Sequence, residues 1–87
     1  MKKQIQTLST NINHTYFVST AFRESSCSEY PVKYYEVFVW TLDKDGQLDK
    51  IIYQGSSGSF FENAYDEHMR LVKIFRYLVE RKLRLIK

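Results

Sequence analysis

The clearest pattern along the chain runs from Lys33 to Leu42, where Lys-Tyr-Tyr-Glu-Val-Phe-Val-Trp-Thr-Leu is dense in aromatic and β-branched residues. Such side chains suit a pleated, half-buried surface, so the segment predicts a strand. Asp43-Lys44-Asp45-Gly46 follows as a tight turn: Asp accepts local backbone hydrogen bonds and Gly takes the positive φ the turn needs. Gln47 to Gln54 returns as a further strand carrying Leu48, Ile51, Ile52 and Tyr53, and Ile12 to Arg23 is an earlier stretch of β-formers. Between them Glu24 to Pro31, with Ser25-Ser26-Cys27-Ser28 and Pro31, reads as a loop. Residues 1–11 are polar apart from Met1, Ile5 and Leu8, and read as a frayed start or an edge extension.

The period changes after Gly55-Ser56-Ser57-Gly58, which reads as a flexible connector. Phe61, Ala64, Tyr65, Leu71, Val72, Phe75, Leu78 and Val79 recur at helical spacing and fall on one arc. Ser59 and Glu62 have capping-box spacing, which places a helix at about residues 60–81. Lys82 would point toward the apolar arc, which favours an end nearby; Leu83-Arg84-Leu85-Ile86 either prolongs the helix or turns into a short strand. The order predicts an α+β fold: a three-stranded antiparallel sheet, four-stranded if the N-terminal segment joins it, packed on one long C-terminal helix. At 87 residues the chain reads as a single domain.

Both faces of the 33–42 strand are substantially apolar. Tyr35, Val37 and Val39 line one; Tyr34, Phe38, Trp40 and Leu42, interrupted by Glu36, line the other. One helix covers one face only. The uncovered face is left as a dimer interface, a partner surface, or a surface under the N-terminal segment.

Size and charge narrow the function classes. A domain this short buries only about 60% of its unfolded surface, which leaves little room for a deep catalytic cavity beside a core. The single cysteine, Cys27, forms no internal disulfide. No N-terminal apolar run reads as a signal peptide, and no stretch reaches the roughly 18 apolar residues of a membrane span, so the expected location is cytoplasmic, with no membrane partner. A net charge of +3 is compatible with nucleic acid or an acidic protein.

Candidate chemistry is sparse. His68 falls in the helical apolar arc and reads as a core or boundary histidine; His14 is the only other histidine, and no metal-ligand spacing accompanies either. The Asp43–Gly46 turn echoes the start of a calcium loop, yet Gln54 stands where the bidentate Glu would fall. The glycines before the helix match neither a P-loop nor G-x-G-x-x-G. No nucleophile–base–orienter set is visible, so the expectation is binding rather than catalysis, with no cofactor and no metal. The helix also carries Arg70, Lys73, Arg76 and Arg81, with Arg84 and Lys87 beyond them, on the side away from its apolar arc. They suit an acidic surface or phosphates; the same cations also follow from a solvated helix in which Asp66–Arg70, Arg76–Glu80 and Glu80–Arg84 pair at i,i+4.

The stretch Tyr35-Glu36-Val37-Phe38-Val39-Trp40, the turn at Asp45-Gly46, and Ala64-x-x-x-His68-x-x-Leu71-Val72 together resemble a pattern of very small phage and prophage accessory proteins. Proteins of that class include anti-CRISPR inhibitors. The resemblance, over about residues 34–72, implies an inhibitor that binds a CRISPR effector or surveillance complex in the host cytoplasm and blocks nucleic-acid recognition or cleavage. It transfers no functional residue. Under that reading Tyr34, Trp40 and Tyr53 are the candidate aromatic anchors, and Arg70, Lys73, Arg76 and Arg81 the charged contribution, since aromatic and Arg residues dominate interface energetics. The alternatives are a nucleic-acid-binding module using the basic helix and exposed aromatics, a small ribonuclease toxin, and a homodimer through the uncovered face.

Overall fold

The computed structural model describes residues 7–25 and 32–86. Four strands, β1 (Leu8–Ile12), β2 (Tyr16–Ser25), β3 (Val32–Leu42) and β4 (Leu48–Ser56), form an antiparallel sheet in sequence order, and α1 (Phe61–Ile86) packs on one face. The fold is α+β, with four strands. Cys27 and most of the expected 24–31 loop lie outside the described residues; Glu24 and Ser25 belong to β2.

The N-terminal segment supplies the fourth strand. Asn13 and His14 both take left-handed backbone, with φ of 51° and 57°, and Thr15 N–H donates to the Ile12 carbonyl at 2.9 Å. Two successive positive φ values, at the central residues of the turn that this hydrogen bond closes, match the right-handed strand twist. The continuous run expected from Ile12 is therefore cut at 13–15, and Leu8–Ile12 folds back against Tyr16–Thr20.

At the β3–β4 turn Asp43 Oδ1 accepts from Asp45 N–H and Gln47 N–H, both at 2.9 Å, and Gly46 sits at φ 82°. The glycine connector is less free than expected. Gly55 and Ser56 are part of β4, and Ser57 and Gly58 exchange backbone hydrogen bonds with Tyr35.

Register and burial fix the faces. Val18 pairs with Val39, and Thr20 with Val37; all four are fully or almost fully buried beneath α1. The three valines form the core with Ile12, Leu71, Val72 and Val79, and Tyr16, Tyr53 and Phe75 pack at its margin. Burying such side chains contributes roughly 1.5–3 kcal/mol each. Ala64 has no exposed surface, so the helix backbone approaches the sheet closely there.

Three helix expectations change. The helix starts at Phe61, with Ala64 N–H reaching the Phe60 carbonyl, so the capping box from Ser59 is one residue out of register. The Ser59 hydroxyl instead donates to the Lys33 carbonyl at 2.7 Å. Tyr65 and Leu78, expected in the apolar arc, are 45% and 42% exposed at its edges. Finally, the helix continues past Lys82, which is exposed. Val79 is the last buried position described on α1. Lys82, one turn on, has run off the sheet, and a lysine there costs nothing.

Candidate functional site

The outer sheet face divides into two halves. Cross-strand partners share a face, so β2–β3 pairing sets Phe17 beside Trp40, Ser19 beside Phe38, Ala21 beside Glu36 and Arg23 beside Tyr34. Toward the 26–31 end the surface is polar. Arg23 Nε donates to Glu36 Oε1 at 3.1 Å, Gln54 Nε2 donates to Glu36 Oε2 at 2.9 Å, and the Arg23 guanidinium lies over the Phe38 ring. Glu36, an interruption in the apolar pattern, is therefore a satisfied acceptor.

Toward the two hairpin turns the same face is apolar. Trp40 pairs with Ile51 and Leu42 with Leu48. Two register shifts, at Val39/Trp40 and Trp40/Leu42, put an extra residue into β4 each time. Such bulges turn side chains out of simple alternation. Adjacent Ile51 and Ile52 are both 46% exposed and Leu48 is 50% exposed, beside half-buried Phe17, Trp40 and Leu42. Helix contacts fall mainly on β1, β2 and β3, and β4, which meets α1 through Tyr53, is left at an open sheet edge.

Of the three aromatic candidates, Tyr34 and Trp40 share this outer face, at opposite ends. Six residues of strand separate them, about 20 Å. Tyr53 does not join them. It pairs with Val39 on the helix side, and its hydroxyl donates to Glu67 Oε2 at 3.0 Å. That hydrogen bond to a carboxylate, followed by burial, raises the phenol pKa. Gly55, two residues on, leaves room for the ring: a Cβ there would meet Tyr53 Oη at 2.8 Å.

The cationic candidates lie on the other side of the molecule, along α1. Arg70 is held by Glu67 rather than by Asp66 as the i,i+4 spacing suggested. Its Nε and Nη2 donate to the two Glu67 oxygens at 3.0 and 2.7 Å. This fork lowers the Glu67 pKa. The geometry chosen is i,i+3 because Glu67 also faces Tyr53 and serves both donors. Lys73, Arg76 and Arg81 are exposed. An open groove of about 700 Å³ runs along this flank, lined by α1 residues alone: Met69, Arg70, Lys73, Arg76 and Tyr77, with the acids Asp66 and Glu80 among them.

His68 is internal, 1% exposed, between Thr10 Oγ1 on Nε2 (2.9 Å) and Thr20 Oγ1 on Nδ1 (2.8 Å). Burial lowers its pKa. It ties β1 and β2 to the helix as a structural polar link.

Ile51, Ile52, Leu48 and Phe17 are surface residues that sequence reasoning did not single out. The doubled Ile51-Ile52, which breaks the alternation of β4, was the available signal. Among the described residues no cluster of His, Cys, Asp or Glu is arranged to hold a metal ion, and no helix is long and apolar enough to cross a membrane. No protein-family model, curated protein or solved structure matches the chain.

Proposed function

We propose that the protein acts by binding another protein through its outer sheet face, as a small phage-type inhibitor that docks on a host defence complex of the CRISPR effector or surveillance kind and blocks nucleic-acid recognition or cleavage. The observation that carries the binding role is the apolar half of that face. Trp40, with Phe17 and Leu42 around it and Leu48, Ile51 and Ile52 exposed beside it, forms an aromatic centre with an aliphatic surround. The Arg23–Glu36–Gln54 network supplies a polar border on one side. Such a composition, an aromatic anchor within a desolvated ring, is where interface energy concentrates. The target class comes from the resemblance of residues 34–72 to phage accessory proteins.

The test uses purified, nuclease-treated effector complexes. A stoichiometric complex on gel filtration, stable at high salt because the contact is apolar, together with loss of target cleavage, is the expected result. Ile51→Lys should abolish both. Failure to bind any effector class, with a concentration-dependent dimer abolished by the same substitution, would overturn the inhibitor reading and assign the face to self-association.

A further inference from the structure

The charge of this chain is segregated. Seven of its 13 cations fall at positions 70–87, where Glu80 is the single acid, so this stretch carries +6 and the rest of the chain carries −3. α1 carries six of these seven cations, on the layer opposite the outer sheet face. It also extends beyond the body of the fold. Val79 packs against the Ile12 end of β1, while Lys82, on the same arc one turn later, is exposed, and α1 continues to Ile86. Seven residues past Val79 project about 10 Å.

Within this half the side chains alternate charge with an aromatic. Lys73, Tyr77 and Arg81 are spaced i, i+4, i+8 and form one row, with Arg76 alongside. Tyr77 is 56% exposed, between two cations of that row. It lines the open groove together with Met69, Arg70, Lys73 and Arg76. The two cations of the described ion pairs are Arg70, held by Glu67, and Arg23, on the sheet.

We infer that the C-terminal half of α1 binds single-stranded nucleic acid, with phosphates on Lys73, Arg76 and Arg81 and a base against Tyr77 beside Met69. Three features select this occupant. Clustered cations on a chain otherwise net acidic favour a polyanion over a mixed-charge protein surface. An exposed aromatic set among cations is a stacking platform, which a duplex with its bases already stacked cannot use. Met69, 42% exposed along the same flank, offers apolar contact to a splayed base. The inference stands apart from the inhibitor reading, since it concerns the opposite layer of the molecule.

Fluorescence anisotropy with a 5′-labelled 12-nucleotide single strand, titrated from 50 to 300 mM salt, tests it on the full chain. Three phosphate contacts predict a slope of about −2 in log affinity against log salt. Lys73→Gln with Arg76→Gln should flatten that slope to about −0.7. The control pair Lys44→Gln with Lys50→Gln makes the same change in net charge on the sheet side and should leave it unchanged. Tyr77→Ala should weaken binding roughly 5- to 100-fold while Tyr77→Phe retains it. All these positions are exposed, so unchanged circular dichroism melting is the folding control. Equal losses from the two charge pairs, or no effect of Tyr77→Ala, would overturn the inference. So would equal binding, with the same mutational pattern, to a duplex or to phosphatidylserine vesicles, which would make the helix a generic anion-binding face.

Discussion

His68 Nδ1 lies 2.8 Å from Thr20 Oγ1, and both residues are 1% exposed. With Thr10 Oγ1 on the other ring nitrogen, the imidazole spends one N–H and one lone pair on two hydroxyls and is satisfied in its neutral form. A second ring proton would require both hydroxyls to act as acceptors in a site where charge is penalised. Folding therefore holds the His68 pKa below its ordinary 6.5, with burial as the cause. The sign follows from linkage: the unfolded chain takes up the proton first, so this contribution is fully present above pH 6.5 and is lost as pH falls through the folded-state value. Denaturant midpoints should fall between pH 7 and pH 5. His68→Phe should cost about 1–3 kcal/mol at pH 7, because it strands the Thr20 hydroxyl, and should flatten the pH dependence in that interval. A pH slope that survives His68→Phe would show that another group is responsible.

Gly55 and Tyr53 are coupled across one turn of strand. A Cβ at position 55 would come within 2.8 Å of Tyr53 Oη and 3.2 Å of two ring carbons. Gly55→Ala should push the ring aside, break the Tyr53–Glu67 hydrogen bond, and cost about 1–3 kcal/mol as overpacking does. In a Tyr53→Phe background the same substitution should cost less, since the closest atom and the hydrogen bond are already gone. A double-mutant cycle by urea denaturation reads this directly; additive costs would mean that the two residues do not act through each other.

Legibility in the sequence follows how local the deciding interactions are. The β3 alternation divides Tyr35, Val37 and Val39 from Tyr34, Phe38 and Trp40, and that division holds because β3 is central and regular opposite β2. The helix was legible from its period, as was the interior place of His68. Tyr53 was wrongly grouped with Tyr34 and Trp40, because Ile51-Ile52-Tyr53 in a row does not mark which side carries the ring; the two bulges in β4 together leave the parity at Tyr53 unchanged and shift only the stretch between them, setting Ile51 beside Trp40. The β1–β2 turn was hidden for a different reason. Asn13-His14 contains no glycine or proline, and its left-handed backbone is imposed by pairing between Leu8–Ile12 and Tyr16–Thr20, which only the folded sheet supplies. The end of α1 was misplaced because Lys82 marks where the sheet stops, not where the helix stops.

The outer face separates stability from binding. Ile51 is 46% exposed and pairs with Trp40. Ile51→Lys places a solvated charge at an edge strand, where lysines are tolerated, and should change stability by no more than about 0.5–1 kcal/mol. It should nonetheless weaken association with a partner of this face at least tenfold. Tyr34→Ala, about 20 Å away at the polar end, should leave that association within about twofold. Isothermal titration against the bound partner, with thermal melts of each variant, distinguishes the two. Equal losses for Tyr34→Ala and Ile51→Lys would place the contact across the whole face rather than on its apolar half.

The Asn13-His14 turn predicts a gain rather than a loss. Both residues hold positive φ, 51° and 57°. Asn tolerates the left-handed region because its short amide bonds locally, whereas a histidine there bears the clash of Cβ with the following carbonyl, about 1–2 kcal/mol for an ordinary L-residue. His14 is exposed and its described hydrogen bond uses its backbone N–H, to Asn11 Oδ1 at 2.8 Å. His14→Gly keeps that bond, relieves the clash, and creates the Asn-Gly pair favoured in such turns. Glycine also gains freedom in the unfolded chain, which offsets part of the benefit. The net expectation is a stabilisation of about 0.5–1 kcal/mol, read as a rise in the urea midpoint with an unchanged m-value. His14→Val, β-branched and ill suited to positive φ, should move the midpoint the other way. The ordering Gly above His above Val is what a left-handed turn requires; a loss of stability with glycine would mean that the His14 ring, not the backbone, holds this hairpin.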